Sequence, residues 1–219
     1  MNNGLIILDL DDTLYCEKNY IHEIINKFCL NNSLIGHNLE DLIHKFKRKP
    51  GQDTLAFFLK ELNVFNNYYQ DQIFDLYCHS DVKLELYDGV EFFLSTQIPD
   101  NISVAILTNG VVNVQKNKIK NLNLDALVDK VFYAREKGIK YEKPHPSSYK
   151  HVLKNYGIAP QNVVMVGDNI KNDFLGPKSM GIEAILIKQQ AEETWKQRSE
   201  NTKAALIESI EVCQNLLKK

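Results

Sequence analysis

Three carboxylates, Asp9, Asp11 and Asp12, fall within four positions directly after the apolar run Leu5-Ile6-Ile7-Leu8. The chemistry they suit is phosphoryl transfer. A carboxylate is a competent nucleophile and forms an aspartyl-phosphate. It carries the same charge as a phosphate monoester, so a cation must lie between them. Asp9, at the tip of the apolar run, is the nucleophile candidate. Side chains two apart on extended backbone point the same way, so Asp11 addresses the same site. Asp11 is placed to protonate the leaving alkoxide and then to deprotonate the attacking water. That role requires a carboxyl raised from its ordinary value near ~4 toward the working pH. Asp-Asp-Thr is also a helix-start signal, with Asp12 or Thr13 as cap.

Two more apolar runs end in polar residues of a useful kind. Residues 102–107 lead into Thr108-Asn109-Gly110, and 163–166 lead into Gly167-Asp168. Lys143, followed by Pro144, lies between them. Mg²⁺ prefers octahedral oxygen ligation and usually takes one or two carboxylates plus phosphate and water. Asp9 and Asp168 supply that pair. The Thr108 hydroxyl, the Asn109 backbone N–H and the Lys143 ammonium suit the equatorial oxygens of a transferring phosphoryl group. Preorganised donors of this sort contribute about 3–4 kcal/mol each to transition-state stabilisation. Asp173, a turn beyond Asp168, is placed to orient Lys143 or a metal-bound water. Taken singly, Thr108-Asn109-Gly110 is also a turn, Lys143 a surface lysine and 168–173 a helix start. One shared site accounts for all of them together.

Such a site needs a sheet whose strand ends meet. Continuous apolar runs of this length read as interior strands of a parallel sheet. Four-residue runs at 130–133 and 184–187 add two short strands, and helical spacing fills the intervals from 89 onward, including 89–96, 111–122, 146–156 and 170–180. Strands alternating with helices imply right-handed crossovers and an α/β, doubly wound parallel sheet. Ligands bind such sheets at the carboxyl ends of the strands. Residues 15–87 differ in character. Helical spacing recurs at Ile21, Ile24, Ile25 and Phe28, at Leu39, Leu42, Ile43 and Phe46, and over 54–62 and 70–78, with a stop at Pro50-Gly51. This stretch reads as an α-helical cap of 15–87 inserted into a core of 1–14 and 88–219. The tail, 191–219, reads as an amphipathic helix.

The 219 residues suit one domain with an insert, and 44% hydrophobic residues supply a core. A net charge of -2, from 26 basic and 28 acidic residues, gives no nucleic-acid polymer or membrane surface. No apolar run approaches the roughly 20 residues that cross a bilayer, and the start of the chain lacks a signal-peptide pattern. Cys16, Cys29, Cys78 and Cys213 lack metal-type spacing and read as free thiols of a reducing cytoplasm. Nothing here specifies an oligomeric state.

The motif set resembles the haloacid dehalogenase superfamily of hydrolases. Asp9-Leu10-Asp11-Asp12-Thr13 matches the first motif, Thr108 the second, Lys143-Pro144 the third, and Gly167-Asp168 with Asp173 the fourth. All four occur in family order across essentially the whole chain. The resemblance implies a Rossmann-like core, Mg²⁺, an aspartyl intermediate, and metal ligation by the Asp9 and Asp168 side chains and the Asp11 backbone carbonyl. An acid at Asp11 points to a phosphatase rather than a dehalogenase. The stretch 107–181 looks most like the nucleotidase and sialate-9-phosphate phosphatase branch, which implies a small phosphorylated metabolite such as a nucleoside monophosphate or sugar phosphate. Two departures stand out. The loop from Glu136 to Lys143 is long, which leaves Lys140 as a rival to Lys143, and 176–181 carries Pro177 and bulky residues where small ones are usual. A phosphomutase, a phosphonatase using Lys18 or Lys27 as a Schiff base, and a non-catalytic binding protein are the alternatives on this scaffold. In the cap, Tyr15, Cys16, Tyr20 and His22 are candidates for the mouth of the site. The basic run 45–49 is either an anion attractor or a solvated face.

Overall fold

Gly4–Leu8 forms β1, and all five residues are buried, as an apolar run enclosed on both faces requires. The computed structural model describes residues 3–34, 39–45, 53–187 and 193–218. The Pro50-Gly51 stop, positions 46–49 of the basic run and the first residues of the tail lie outside them. The other strands are β2 (Ile102–Thr108), β3 (Lys130–Tyr133), β4 (Val163–Gly167) and β5 (Glu183–Leu186). They form one sheet in the order β3-β2-β1-β4-β5, with every pairing parallel. The chain runs outward from β1 through β2 to β3, then crosses back to β4 on the other side. The point where this order reverses is where open α/β sheets bind ligands. Leu8 pairs with Ile106 and Val166, so the polar residues that follow the three strands emerge side by side.

Alternation along the strands splits the apolar core in two. Ile6, Leu8, Val104, Ile106, Val164 and Val166 face one layer; Leu5, Ile7, Ala105, Leu107, Val163 and Met165 face the other. The first layer is made by α5 (Val90–Thr96), α6 (Val112–Asn121) and α9 (Trp195–Leu216); the second by α7 (Pro146–Tyr156). The helical block between β1 and α5 consists of α1 (Glu17–Asn31), α2 (Leu39–Lys45), α3 (Thr54–Glu61) and α4 (Asn67–His79). Its interior, Tyr20, Ile24, Phe28 and Phe58, is continuous with the first core layer.

Two elements depart from the spacing-based expectation. Helix α4 starts at Asn67 rather than 70, because the Asn66 side chain accepts the Tyr69 N–H at 2.8 Å and caps the end. The helix expected over 170–180 is a wide π-type turn, Ile170–Leu175, followed by the single turn α8, Gly176–Lys178. The Asn169 side chain accepts from the Lys171 and Asn172 N–H groups at 3.1 and 3.0 Å. The widened turn aims Asp173 inward, where it is fully buried.

Candidate active site

Asp9 follows β1 directly and keeps the sheet's pattern for one more residue, its N–H donating to the Val166 carbonyl at 2.9 Å. Its carboxylate accepts from the Lys143 ammonium at 2.6 Å. The same ammonium reaches Asp173 at 2.7 Å. Lys143 is only 5% exposed, so its charge is committed to these two partners. Lys140 instead is exposed and lies over its neighbour's ring, Tyr141, at 5.1 Å.

The long loop that carries Lys143 is wired to the end of β2. The Asn109 side-chain amide clasps the Lys143 backbone, accepting its N–H at 2.8 Å and donating to its carbonyl at 2.9 Å. Glu142 accepts from the Gly110 N–H at 2.5 Å and from Arg135 at 2.8 Å. The length of this loop is therefore what lets two residue pairs register against β2. Asn109, expected to offer a backbone donor, contributes its side chain to positioning Lys143. The Thr108 hydroxyl, 1% exposed as a residue, accepts from Gln115 at 2.6 Å.

Carboxylate oxygens of Asp9, Asp168 and Asp173 lie within 4.8 Å of one another. Burial, with Asp173 and Asp168 nearby, drives the Asp9 carboxyl well above its ordinary value against the pull of Lys143. Burial, with Asp12 and Asp173 nearby, pushes Asp168 up to about 7. Such a group of carboxylates is short of positive charge, which suits a hard divalent cation with oxygen ligands. Asp173 already accepts from Lys143 through one oxygen and from the Asn169 N–H at 3.0 Å through the other. Asp9 and Asp168 are thus the side chains suited to hold Mg²⁺, with Asp173 behind them. The Thr13 hydroxyl reaches Asp168 at 3.5 Å.

Asp11 departs from its expected electrostatics. It accepts from the Tyr15 hydroxyl at 2.6 Å, from Lys118 at 2.7 Å and from Gln115 at 2.8 Å. Burial pushes its carboxyl up, but the Lys118 ammonium and these hydrogen bonds more than offset that, and it ends below its ordinary value. The raised carboxyl expected for a proton donor is corrected accordingly: the cause is Lys118, which sequence reasoning passed over. A lysine within a helix reads as a surface group. This one is 1% exposed, also paired with Glu17 at 3.2 Å, and faces the rings of Tyr20, Tyr15 and Tyr77. Its spacing of three from Gln115 on α6 was the available signal.

Of the residues expected at the mouth, Tyr15 touches Asp11 and is fully buried. Tyr20 bonds the Tyr77 carbonyl and accepts from Asn117 at 3.0 Å, as part of a buried seam between α6 and the helical block. Cys16 is half-buried, and His22 lies beside Glu23 at 3.5 Å. The N-cap of α1 is Cys16 rather than Asp12 or Thr13, and Asp12 accepts the Glu17 N–H at 3.0 Å from outside the helix.

Comparison with known proteins places this geometry among relatives. The chain is 33% identical to phosphoserine phosphatase of Thermus thermophilus over 102 residues, 47% of this chain and 40% of that protein. It is 32% identical to mouse (Mus musculus) N-acylneuraminate-9-phosphatase over 101 residues, 46% of this chain and 40% of that protein. These matches span less than half the length of either relative. Glyceraldehyde 3-phosphate phosphatase of Methanocaldococcus jannaschii matches at 23% identity over 97% of this chain and 98% of its own length. In structure, the magnesium-bound HAD-hydrolase YfnB of Bacillus subtilis superposes with a TM-score of 0.67 at 15% identity, covering 89% of this chain and 90% of its own. The L-2-haloacid dehalogenase of Xanthobacter autotrophicus superposes with a TM-score of 0.59 at 18% identity, covering 87% and 79%. The family model of haloacid dehalogenase-like hydrolases matches residues 6–187, and the chain belongs to that family.

Proposed function

We propose that this chain is a Mg²⁺-dependent phosphatase that hydrolyses a small phosphate monoester through an aspartyl-phosphate on Asp9. The observation that carries this reading is the convergence of Asp9, Asp168 and Asp173 within 4.8 Å around the buried Lys143 ammonium. Asp9 and Asp168, with the Asp11 backbone carbonyl, would hold Mg²⁺, which would supply neutralisation of the negative charge shared by the nucleophile and the phosphate. The Asp9 carboxylate attacks phosphorus and the ester oxygen leaves. Lys143 balances negative charge, and the Thr108 hydroxyl and Asn109 N–H bind phosphoryl oxygens. Asp11, the carboxyl two residues from the nucleophile, gives the leaving oxygen its proton in the fraction of molecules that carry one, and the carboxylate so formed takes a proton back from the water that attacks phosphorus and releases Asp9 and inorganic phosphate. Its ionised form, favoured by Lys118, suits the second task. The helical block 15–87 acts as a cap over the core formed by 1–14 and 88–219, and limits water access.

The curated relatives named above are phosphatases of small phosphorylated metabolites, which supports that substrate class here. A phosphonatase role is disfavoured by its two lysines: Lys18 is exposed, and Lys27 donates to the Asp81 carbonyl at 3.1 Å. Among the described residues no helix is long and apolar enough to cross a membrane.

A panel of nucleoside monophosphates, sugar phosphates and small acid phosphates, with Mg²⁺ or with chelator, tests the proposal. Turnover that requires Mg²⁺ and disappears in Asp9→Asn is expected. An inert wild-type protein across the panel overturns it. An isomerised product that needs a phosphorylated activator identifies a mutase instead.

A further inference from the structure

The last helix has a polar face that the reaction does not use. Trp195, Arg198, Ser199 and Thr202 occupy positions i, i+3, i+4 and i+7 of α9, one side of the helix. Arg198, Ser199 and Thr202 are 5%, 3% and 0% exposed. An inward-facing helix stripe is ordinarily apolar, so these groups need partners; apart from Glu193, which accepts from the Arg198 guanidinium at 3.5 Å, the partners lie where the chain crosses between the core and the helical block. On the outgoing crossing, the Arg198 guanidinium donates to the Asp12 carbonyl, and the Thr202 hydroxyl donates to the Thr13 carbonyl at 3.4 Å. The next carbonyl, Leu14, accepts the Tyr87 N–H of the returning crossing at 2.9 Å. On that returning crossing, Ser199 accepts the Asp88 N–H at 3.1 Å and the Trp195 ring N–H donates to Asp88 at 3.2 Å. The Tyr87 ring lies between the Trp195 ring, at 4.9 Å, and the Arg198 guanidinium, at 5.8 Å.

Asp12 is the residue that makes this necessary. Its φ of 55° is left-handed, which turns the chain between Asp11 and Thr13 and leaves its carbonyl outside any helix or strand. A buried carbonyl without a donor is destabilising. Helix α9 itself packs on β1 and β4, so the donor it provides belongs to the core.

We propose that Arg198 is a positioning residue: through the Asp12 carbonyl it fixes the loop that bears Asp9 and Asp11, and with Ser199 and Thr202 it clamps both crossings to the core. The catalytic consequence rests on the phosphatase reading; the clamp itself does not.

Hydrogen exchange of the full chain, with and without Arg198→Met, tests this, with Arg198→Lys as the conservative variant. The N–H groups of Thr13, Leu14 and Tyr87 close the crossings. In Arg198→Met they are expected to exchange about tenfold faster or more, while amides of β1 and β4 keep their rates. Mg²⁺-dependent kcat/KM on a phosphomonoester from the panel is expected to fall about tenfold, with Arg198→Lys recovering part of both effects. Unchanged exchange at the crossings overturns the proposal, as does a uniform increase across the sheet. Should Arg198→Met fail to fold, Thr202→Val removes one clamp bond in a similar volume, and the same local pattern is required of it. A wild-type protein inert toward phosphomonoesters removes the phosphatase reading, while the exchange pattern still decides the clamp.

Discussion

Gly167 and Asp173 occupy adjoining space so closely that a Cβ added to Gly167 would lie 2.5 Å from the Asp173 side chain. The glycine before Asp168 is thus a packing requirement of the carboxylate five residues after Asp168, which in turn holds Lys143. Gly167→Ala is expected to destabilise the protein by about 1–3 kcal/mol, as overpacking does, and to lower phosphatase turnover by displacing Asp173. Urea unfolding and kcat/KM measure the two effects. A midpoint equal to wild type would show that Asp173 can yield.

The two candidate lysines separate cleanly by substitution. Lys140→Ala is expected to leave turnover and stability near wild type, because its ammonium is exposed. Lys143→Met leaves Asp9 and Asp173 buried without their cation. Removing one member of a buried ion pair typically destabilises by about 3–5 kcal/mol, and phosphatase turnover is expected to fall below detection. Parallel melts and assays of the two variants check this; equal effects would reassign the phosphate-side cation.

Stability should respond to pH and to metal through Asp168. A carboxyl raised in the folded state to about 7 binds more protons there than in the unfolded chain, where its value is near ~4. In chelator, this group therefore lowers stability as pH climbs through that window, with its full effect above it. Asp168→Asn in chelator at pH 8 should raise Tm, by about 2–4 °C for each kcal/mol relieved in a chain of this size. Mg²⁺ should raise Tm of the wild type and not of the variant. Scanning calorimetry with and without Mg²⁺ decides; a variant that melts lower in chelator contradicts the charge argument.

Lys118 should set the pH range of leaving-group protonation. It is the charge that holds Asp11 below its ordinary value against burial. In Lys118→Met only the Tyr15 and Gln115 hydrogen bonds still oppose burial, and the Asp11 carboxyl moves upward. The pH optimum of kcat/KM for an alkyl phosphate is then expected to shift up by about one unit or more. A profile that keeps its optimum, measured on protein with a wild-type circular dichroism spectrum, would remove Lys118 from this role.

The parallel sheet was legible because its strands are continuous apolar runs and its polar residues sit at their ends. Residues 5–8, 102–107 and 163–166 needed no tertiary information to be read as interior strands. Helix ends were less legible where a single side chain sets them, as Asn66 does for α4. The wide turn at Ile170–Leu175 was hidden because the contact it permits, Asp173 with Lys143, joins residues 30 positions apart. Lys118 and Arg198 were hidden for a related reason. A charged side chain in a helix is read as solvent-facing, and only the assembled molecule reveals that each is enclosed by partners from distant segments. Asp9, Asp168 and Lys143 stood out because their neighbours in sequence already gave the strand end or loop that carries them.

The pairing of Leu14 with Tyr87, reinforced by the bridge between Tyr15 and Leu86, brings both ends of the inserted helices to one doorway. Whatever lies between them is, to the sheet, a closed excursion. Doubling the length of such an excursion adds only about 0.6 kcal/mol of closure entropy. By closure entropy alone, the stretch of helices between Tyr15 and Leu86 can therefore change in length at small cost to the sheet.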